Sequence, residues 1–92
     1  VDCSHGNSNK DYNRQPLVAM NVFNQILEGN KSIIGIMLES NLNAGNQSSE
    51  LPKEELAYGI SVTDACINFA STEQLFKKAD EMLAAKLVER IA

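Results

Sequence analysis

The chain has 92 residues, of which 43% are hydrophobic, 22% charged and 5% aromatic, so it is long enough for one domain at most. Its formal net charge of −4 and its lack of a basic patch argue against binding to nucleic acid. No apolar run approaches the roughly 18 residues that a membrane-spanning helix needs.

The first predicted elements are the end of a strand, a loop and a helix. Residues 1–3 are compatible with a strand end, and residues 4–14 are rich in Asn, Ser, Gly and Asp, which favour turns. Pro16 suits the first turn of a helix, and apolar residues recur three or four positions apart from Leu17 to Leu27. Gly29 predicts the end of this helix.

A second strand and a second helix follow. Ser32–Leu38 reads SIIGIML, an Ile-rich run that favours a strand buried on both faces. The polar segment 41–61 is expected to be a mostly irregular loop, and loops of this length are usually either functional or disordered. Ser71 with Gln74 resembles a capping box, so an amphipathic helix is predicted over 75–91. Its apolar face is expected to contain Leu75, Phe76, Ala79, Met82, Leu83, Leu87 and Ile91. The βα-βα order predicts an α/β fold with parallel strands and helices packed outside them.

Three chemically distinctive residues follow the predicted strands. His5 comes after the first strand, Glu39 ends the second, and Asp64 closes the loop that follows. Because the carboxyl ends of parallel strands share one face, these side chains are expected to converge. An imidazole and two carboxylates suit a divalent Mn, Fe, Co or Zn ion. The alternative is that His5 and Glu39 are solvated and that Asp64 caps a helical turn.

Several other polar residues allow two interpretations each. Lys10 and Arg14 could bind an anion, although solvated loop charges are commoner. Three amide side chains could bind hydroxyl groups, although such residues more often satisfy backbone groups in loops: Asn7, Asn46 and Gln47. The two cysteines lie far apart in the sequence and are expected to be reduced thiols.

Three motifs occur along the chain in a distinctive order: DCSHGNSNKDYNRQP, SIIGIMLESNLNAGNQ and YGISVTDACI. Together they resemble the C-terminal part of class I 3-deoxy-D-arabino-heptulosonate-7-phosphate (DAHP) synthases of the microbial, aromatic-feedback type, over essentially the whole chain. The resemblance implies a (β/α)8 TIM barrel that condenses phosphoenolpyruvate with erythrose 4-phosphate and needs a divalent metal. It also implies that residues 1–92 form a single incomplete domain, the last two strand-helix units of that barrel.

The resemblance assigns roles to the three converging residues. It implies that His5, Glu39 and Asp64 are metal ligands. It further implies that His5 is catalytic, positioning phosphoenolpyruvate beside the metal, and that His5 and Asp64 contact substrate. The family's fourth ligand is a cysteine early in the barrel, which neither Cys3 nor Cys66 matches. The family's Lys-Pro-Arg-Thr segment and the residues that hold the substrate phosphates are absent.

The chain alone is therefore expected to be an inactive fragment of a cytoplasmic transferase that begins the shikimate pathway of aromatic amino acid biosynthesis. Such a barrel needs about 250 residues. The metal is expected in the full enzyme, and whether the fragment holds it is left open. An alternative of another class is a non-catalytic α/β module that self-associates through strand edges and apolar patches. A third is a small metal-binding protein that uses the same three ligands.

Overall fold

The computed structural model describes residues 1–91, in which two α-helices pack against each other. Helix α1 spans Gln15–Leu27 and helix α2 spans Phe69–Ile91. Their contact contributes most of a buried apolar cluster. The cluster consists of Cys3, Ala19, Val22, Phe23, Ile26, Ile67, Leu75 and Leu83. Within the described part of the chain, no helix has the length and apolar character needed to cross a bilayer.

Helix α1 forms close to where the sequence predicts it. Pro16 lies in its first turn, where the missing amide hydrogen leaves no bond unmade. The residues that follow the helical period are buried: Ala19, Val22, Phe23 and Ile26. Gly29 has a φ of 107° and donates its amide to the Ile26 carbonyl oxygen at 3.0 Å, so it terminates the helix as expected.

Helix α2 begins earlier than predicted because another residue caps it. The Asn68 side-chain oxygen accepts the Ser71 amide at 2.8 Å, so the predicted capping box is wrong. Leu75 and Leu83 are buried as expected, whereas Phe76 is 60% exposed and Leu87 is 41% exposed, contrary to their predicted places on the apolar face. Consecutive residues differ by about 100° around a helix, which turns Phe76 away from the core. The side chain of Ile91, also predicted on that face, lies outside the described part of the chain.

The segment Ser32–Leu38, predicted as a strand, does not form a ladder. Residues 1–91 contain only isolated bridges: the parallel bridge Asp2–Met37 involves a residue inside this segment, and the parallel bridge Ser40–Ile67 lies just after it. A ladder needs several successive pairs between neighbours, and each neighbour here supplies one. The predicted order of the two helices and the parallel direction agree with the structure, whereas the predicted strand end at 1–3 and the predicted strand over 32–38 share only a single bridge.

The same apolar segment is buried on one face only. Ile33, Ile36 and Leu38 pack against the core cluster. Ile34, in contrast, is 95% exposed, and Met37 is 42% exposed. Burial on both faces is therefore wrong for residues 1–91, because these residues cover only one side of the segment.

One side chain orders the long loop 41–61. The Gln47 side chain accepts the Ala57 amide at 2.9 Å and donates to the carbonyl oxygens of Ala57 at 2.8 Å and Ile60 at 3.0 Å. These bonds satisfy backbone groups that an irregular segment would otherwise leave to water. Gln47 thus follows the commoner of its two interpretations.

Gly59 occupies a position in this loop that other residues do not fit. Its φ is +76°, and an added Cβ would lie 2.9 Å from the Leu42 Cβ. Gly59→Ala is therefore expected to lower the free energy of unfolding by about 1–3 kcal/mol, measured by urea denaturation. Gly35→Ala is the matched control, since nothing lies within 4 Å of its added Cβ. Equal stability of the two variants would contradict the prediction.

Candidate metal centre

His5 is held in an uncommon backbone conformation at the start of the first loop. Its φ is 51°, in the left-handed region that residues other than glycine seldom adopt. A short 3-10 helix runs from His5 to Ser8, and Asn9 and Lys10 then also have positive φ values of 54° and 59°. The Lys10 amide returns to the His5 carbonyl oxygen at 2.8 Å. The loop therefore folds tightly on itself and presents the His5 ring at its edge.

Asp2 orients the imidazole of His5. Its Oδ2 lies 2.8 Å from His5 Nδ1, and its Oδ1 accepts bonds from the Ser4 amide at 2.7 Å and the Ser4 hydroxyl at 2.6 Å. These bonds lower the pKa of Asp2 to about 2, and the bond from the Ser4 hydroxyl contributes most, followed by the bond from His5. An ionised carboxylate on Nδ1 leaves Nε2 to face the other predicted site residues.

The structure brings His5, Glu39 and Asp64 together. His5 Nε2 lies 3.0 Å from Glu39 Oε1 and 3.1 Å from Asp64 Oδ2. One ligand atom from each of the three residues lies within 4.8 Å of the other two. Glu39 is the least exposed of the three side chains, at 21%, and Asp64 is the most exposed, at 62%. The convergence expected from the chain order is thus present without complete strands.

The donor set of this cluster fits a divalent transition metal. Metal–ligand bonds of about 2.0–2.2 Å place neighbouring ligand atoms of one ion about 3 Å apart, close to the 3.0 and 3.1 Å separations from His5 Nε2. Hydrogen bonds to Asp2 and Asp64 raise the pKa of His5, and the bond to Asp2 contributes most. The carboxylates that favour a proton on this ring would also favour a metal cation beside it.

Gln15 fixes the backbone of Glu39 and was not singled out by the sequence pattern. Its side chain is fully buried, donates to the Glu39 carbonyl oxygen at 3.0 Å and accepts the Glu39 amide at 2.8 Å. This two-way bond ties the first turn of α1 to the residue that supplies a carboxylate. The one signal available was a polar residue at the start of an otherwise apolar helix face.

Some of the remaining candidate residues lie near the three converging residues, and others do not. Lys10 lines the same cleft as the three converging residues, whereas Arg14 lines a separate groove beside α1. The Asn7 side chain donates to the Asp2 carbonyl oxygen at 2.7 Å and therefore serves the loop backbone. Cys3 and Cys66 are buried free thiols, and burial raises the pKa of both.

Sequence comparison identifies proteins similar to this chain. A model described as "DAHP synthetase I family" matches residues 1–77. The Tyr-sensitive phospho-2-dehydro-3-deoxyheptonate aldolases of Salmonella typhimurium and Escherichia coli are each 58% identical over 92 residues. The match covers 100% of this chain and 26% of each relative. The phenylalanine-inhibited aldolase of Saccharomyces cerevisiae is 53% identical over 81 residues, covering 84% of this chain and 21% of that protein.

A solved structure shares the fold of the chain. The phospho-2-dehydro-3-deoxyheptonate aldolase from Francisella tularensis superposes with a TM-score of 0.83 at 42% sequence identity. The match covers 92% of this chain and 24% of that one. The chain therefore spans about a quarter of the length of each of these four proteins, and its fold agrees with a segment of such an aldolase.

Proposed function

Because the chain belongs to the DAHP synthetase I family, we propose that it forms the last two strand-helix units of a (β/α)8 DAHP synthase barrel and supplies three of its metal ligands. The observation that carries the proposal is the convergence of His5 Nε2, Glu39 Oε1 and Asp64 Oδ2. The proposed reaction is the condensation of phosphoenolpyruvate with erythrose 4-phosphate, with release of phosphate.

The architecture supports the barrel placement. The residues around Asp2, Met37 and Ile67 lie side by side in chain order, connected by parallel bridges along 37–40. Helix α1 links the first two of these segments, loop 41–61 links the second to the third, and α2 follows the third. The first pair, parallel neighbours connected through a helix, matches the repeating unit of such a barrel.

The residues of the site have distinct proposed roles. A divalent Mn, Fe, Co or Zn ion would act as a Lewis acid on the aldehyde of erythrose 4-phosphate. Glu39, whose backbone is held by Gln15, supplies a fixed carboxylate. His5, oriented by Asp2, supplies Nε2 and positions phosphoenolpyruvate. Asp64, the most exposed of the three, supplies a carboxylate that also contacts substrate.

A chimeric enzyme tests this proposal. We expect the 92 residues, exchanged for the matching segment of the Escherichia coli relative, to sustain release of phosphate from the two substrates. The chain alone is expected to be inactive, because the family's phosphate-binding residues are absent from it. A folded chimera that binds Mn²⁺ but forms no product would overturn the proposed reaction.

Asp2→Asn is expected to weaken Mn²⁺ binding by about 10–100-fold, the usual cost of removing a hydrogen-bond partner from a metal-bound histidine. The substitution keeps the shape of Asp2 but removes the charge that faces His5 Nδ1. Competition titration followed by electron paramagnetic resonance would measure it. Asp11→Asn is the matched control, since Asp11 only accepts the Asn13 amide at 3.0 Å within the same loop. Similar affinities for the two variants would contradict the prediction.

We also propose a cytoplasmic location, which two buried free thiols support, since cytoplasmic cysteines are kept reduced.

Self-association of the chain is a second candidate property, favoured by the exposed apolar side chains of Ile34, Phe69 and Phe76. Light scattering after size-exclusion chromatography tests it. A dimer that dissociates when Ile34 is replaced with Lys would support it, and a monomer at all concentrations would exclude it.

A further inference from the structure

Asp64 lies in a part of the chain that neither a helix nor a strand positions. Residues 62–64 form a bend, and the side chain of Asp64 is 62% exposed. A carboxylate on such a segment needs other contacts to stay beside His5 Nε2, because irregular exposed backbone opens at little free-energy cost. Contacts from neighbouring residues must therefore keep the Asp64 carboxylate in place.

The segment 61–67 is bonded to the chain that follows Glu39. Cys66 and Gly45 exchange both backbone hydrogen bonds, at 3.1 and 2.9 Å, and the Gln47 amide donates to the Ser61 carbonyl oxygen at 2.8 Å. These bonds lie on either side of Asp64. They leave the residues between them to be held by side chains.

Two side chains bond to the backbone at Asp64: the Cys66 thiol donates to the Asp64 carbonyl oxygen at 3.5 Å from within the same segment, and Asn46 reaches it from the neighbouring segment. Its side-chain Nδ2 donates to the carbonyl oxygen of Thr63 at 3.0 Å, so it holds the peptide group that joins Thr63 to Asp64. The Thr63 amide in turn donates to the Ser61 hydroxyl at 3.1 Å. A side chain from one segment therefore fixes the backbone that aims a carboxylate on the other.

We infer that Asn46 is a positioning residue for the Asp64 carboxylate in the proposed metal centre. The inference rests on the proposed function, because the consequence of misplacing Asp64 is a weaker metal site. Asn46 is not among the residues that line the cleft. It acts through its bond to the Thr63–Asp64 peptide.

The loop itself offers a matched control. Asn43 Nδ2 donates to the Tyr58 carbonyl oxygen at 3.1 Å, so Asn43 and Asn46 make the same kind of bond from exposed positions. Only Asn46 bonds next to a candidate ligand. Asn43→Ala and Asn46→Ala thus remove equivalent bonds from the same loop and differ in their relation to Asp64.

The test compares Mn²⁺ affinity and amide hydrogen exchange in the two variants. Asn46→Ala is expected to weaken Mn²⁺ binding about 10-fold. This is near the lower end of the effects seen when a residue that holds a metal ligand in place is replaced. Exchange in residues 61–66 should quicken in this variant and not in Asn43→Ala. Asn46→Asp, which keeps the size but lacks the donor, should behave like Asn46→Ala.

Each outcome decides the inference. Wild-type affinity in Asn46→Ala, or equal weakening in both alanine variants, would overturn it, because the bond would then serve only general loop stability. If the wild-type chimera with the Escherichia coli relative binds no Mn²⁺, the proposed metal centre is wrong. Exchange measured without metal then decides: quickening across 61–66 confined to the Asn46 variants supports the positioning role, and its absence rejects it.

Discussion

Replacing His5 with alanine is expected to remove measurable Mn²⁺ binding and product formation by the chimera. His5 Nε2 lies between the two carboxylates, 3.0 Å from Glu39 Oε1 and 3.1 Å from Asp64 Oδ2. Without the imidazole, two like charges remain with no nitrogen donor. The loss should therefore exceed the about 10–100-fold effect of disturbing an outer partner of a metal ligand. Isothermal titration with Mn²⁺ measures it directly.

Two controls separate a lost ligand from lost structure or lost charge. Thermal unfolding of His5→Ala in the presence of a chelator reports whether the protein still folds. Glu50→Gln removes one negative charge from an exposed loop position outside the cluster, whereas Glu39→Gln removes one from inside it. We expect only the latter to weaken binding. Mn²⁺ binding by folded His5→Ala at wild-type affinity would place the metal elsewhere.

The convergence of the site was predictable because it depends on chain order. His5 and Glu39 follow the residues of the Asp2–Met37 bridge, and Asp64 closes the loop just before Ile67, which pairs with Ser40. Parallel neighbours bring such positions to one edge. The parallel bridges at Met37 and Ser40 preserve that edge even though no ladder forms. Chain order therefore predicted correctly which residues meet at the site. The apolar run, in contrast, did not correctly predict a complete strand.

The groups that support the site could not be predicted in the same way. Asp2 precedes His5 by three positions, but its bond to Nδ1 depends on the left-handed backbone of His5, which no local pattern required. Gln15 lies beside Pro16 at a helix start, where polar residues are ordinary. Its complete burial depends on Glu39, 24 residues later. Such contacts follow from tertiary packing, and periodicity carries no signal of them.

The error at Phe76 has a related cause. A hydrophobic residue next to the buried stripe of α2 was assigned to that stripe, although the core takes up a narrower face. Likewise, Ile34 belongs to an apolar run whose outer side the described residues leave exposed. Hydrophobicity indicates that a surface is suited to burial, but the residues that cover it must come from elsewhere in the assembled fold.

Gln15→Met is expected to lower the free energy of unfolding by about 1–3 kcal/mol, the cost of leaving the Glu39 amide without a hydrogen-bond partner. The Glu39 carbonyl oxygen keeps the Ile67 amide as a donor at 2.9 Å. Methionine preserves the length and helix propensity of the side chain but neither accepts the Glu39 amide nor donates to the Glu39 carbonyl oxygen. Because Gln15 is fully buried, water cannot readily take its place. Urea denaturation without metal measures this loss.

Gln25→Met on the same helix provides the control. Gln25 is exposed, and its side chain donates only to the Asn21 side chain at 2.7 Å, one turn away. Such a surface pair contributes about 0.2–0.5 kcal/mol, so the two substitutions should differ several-fold in their effect. Equal stability of the variants would show that the backbone of Glu39 finds other partners. A large loss confined to Gln15→Met, accompanied by weaker Mn²⁺ binding, would show that one buried amide supports both the fold and the placement of a metal ligand.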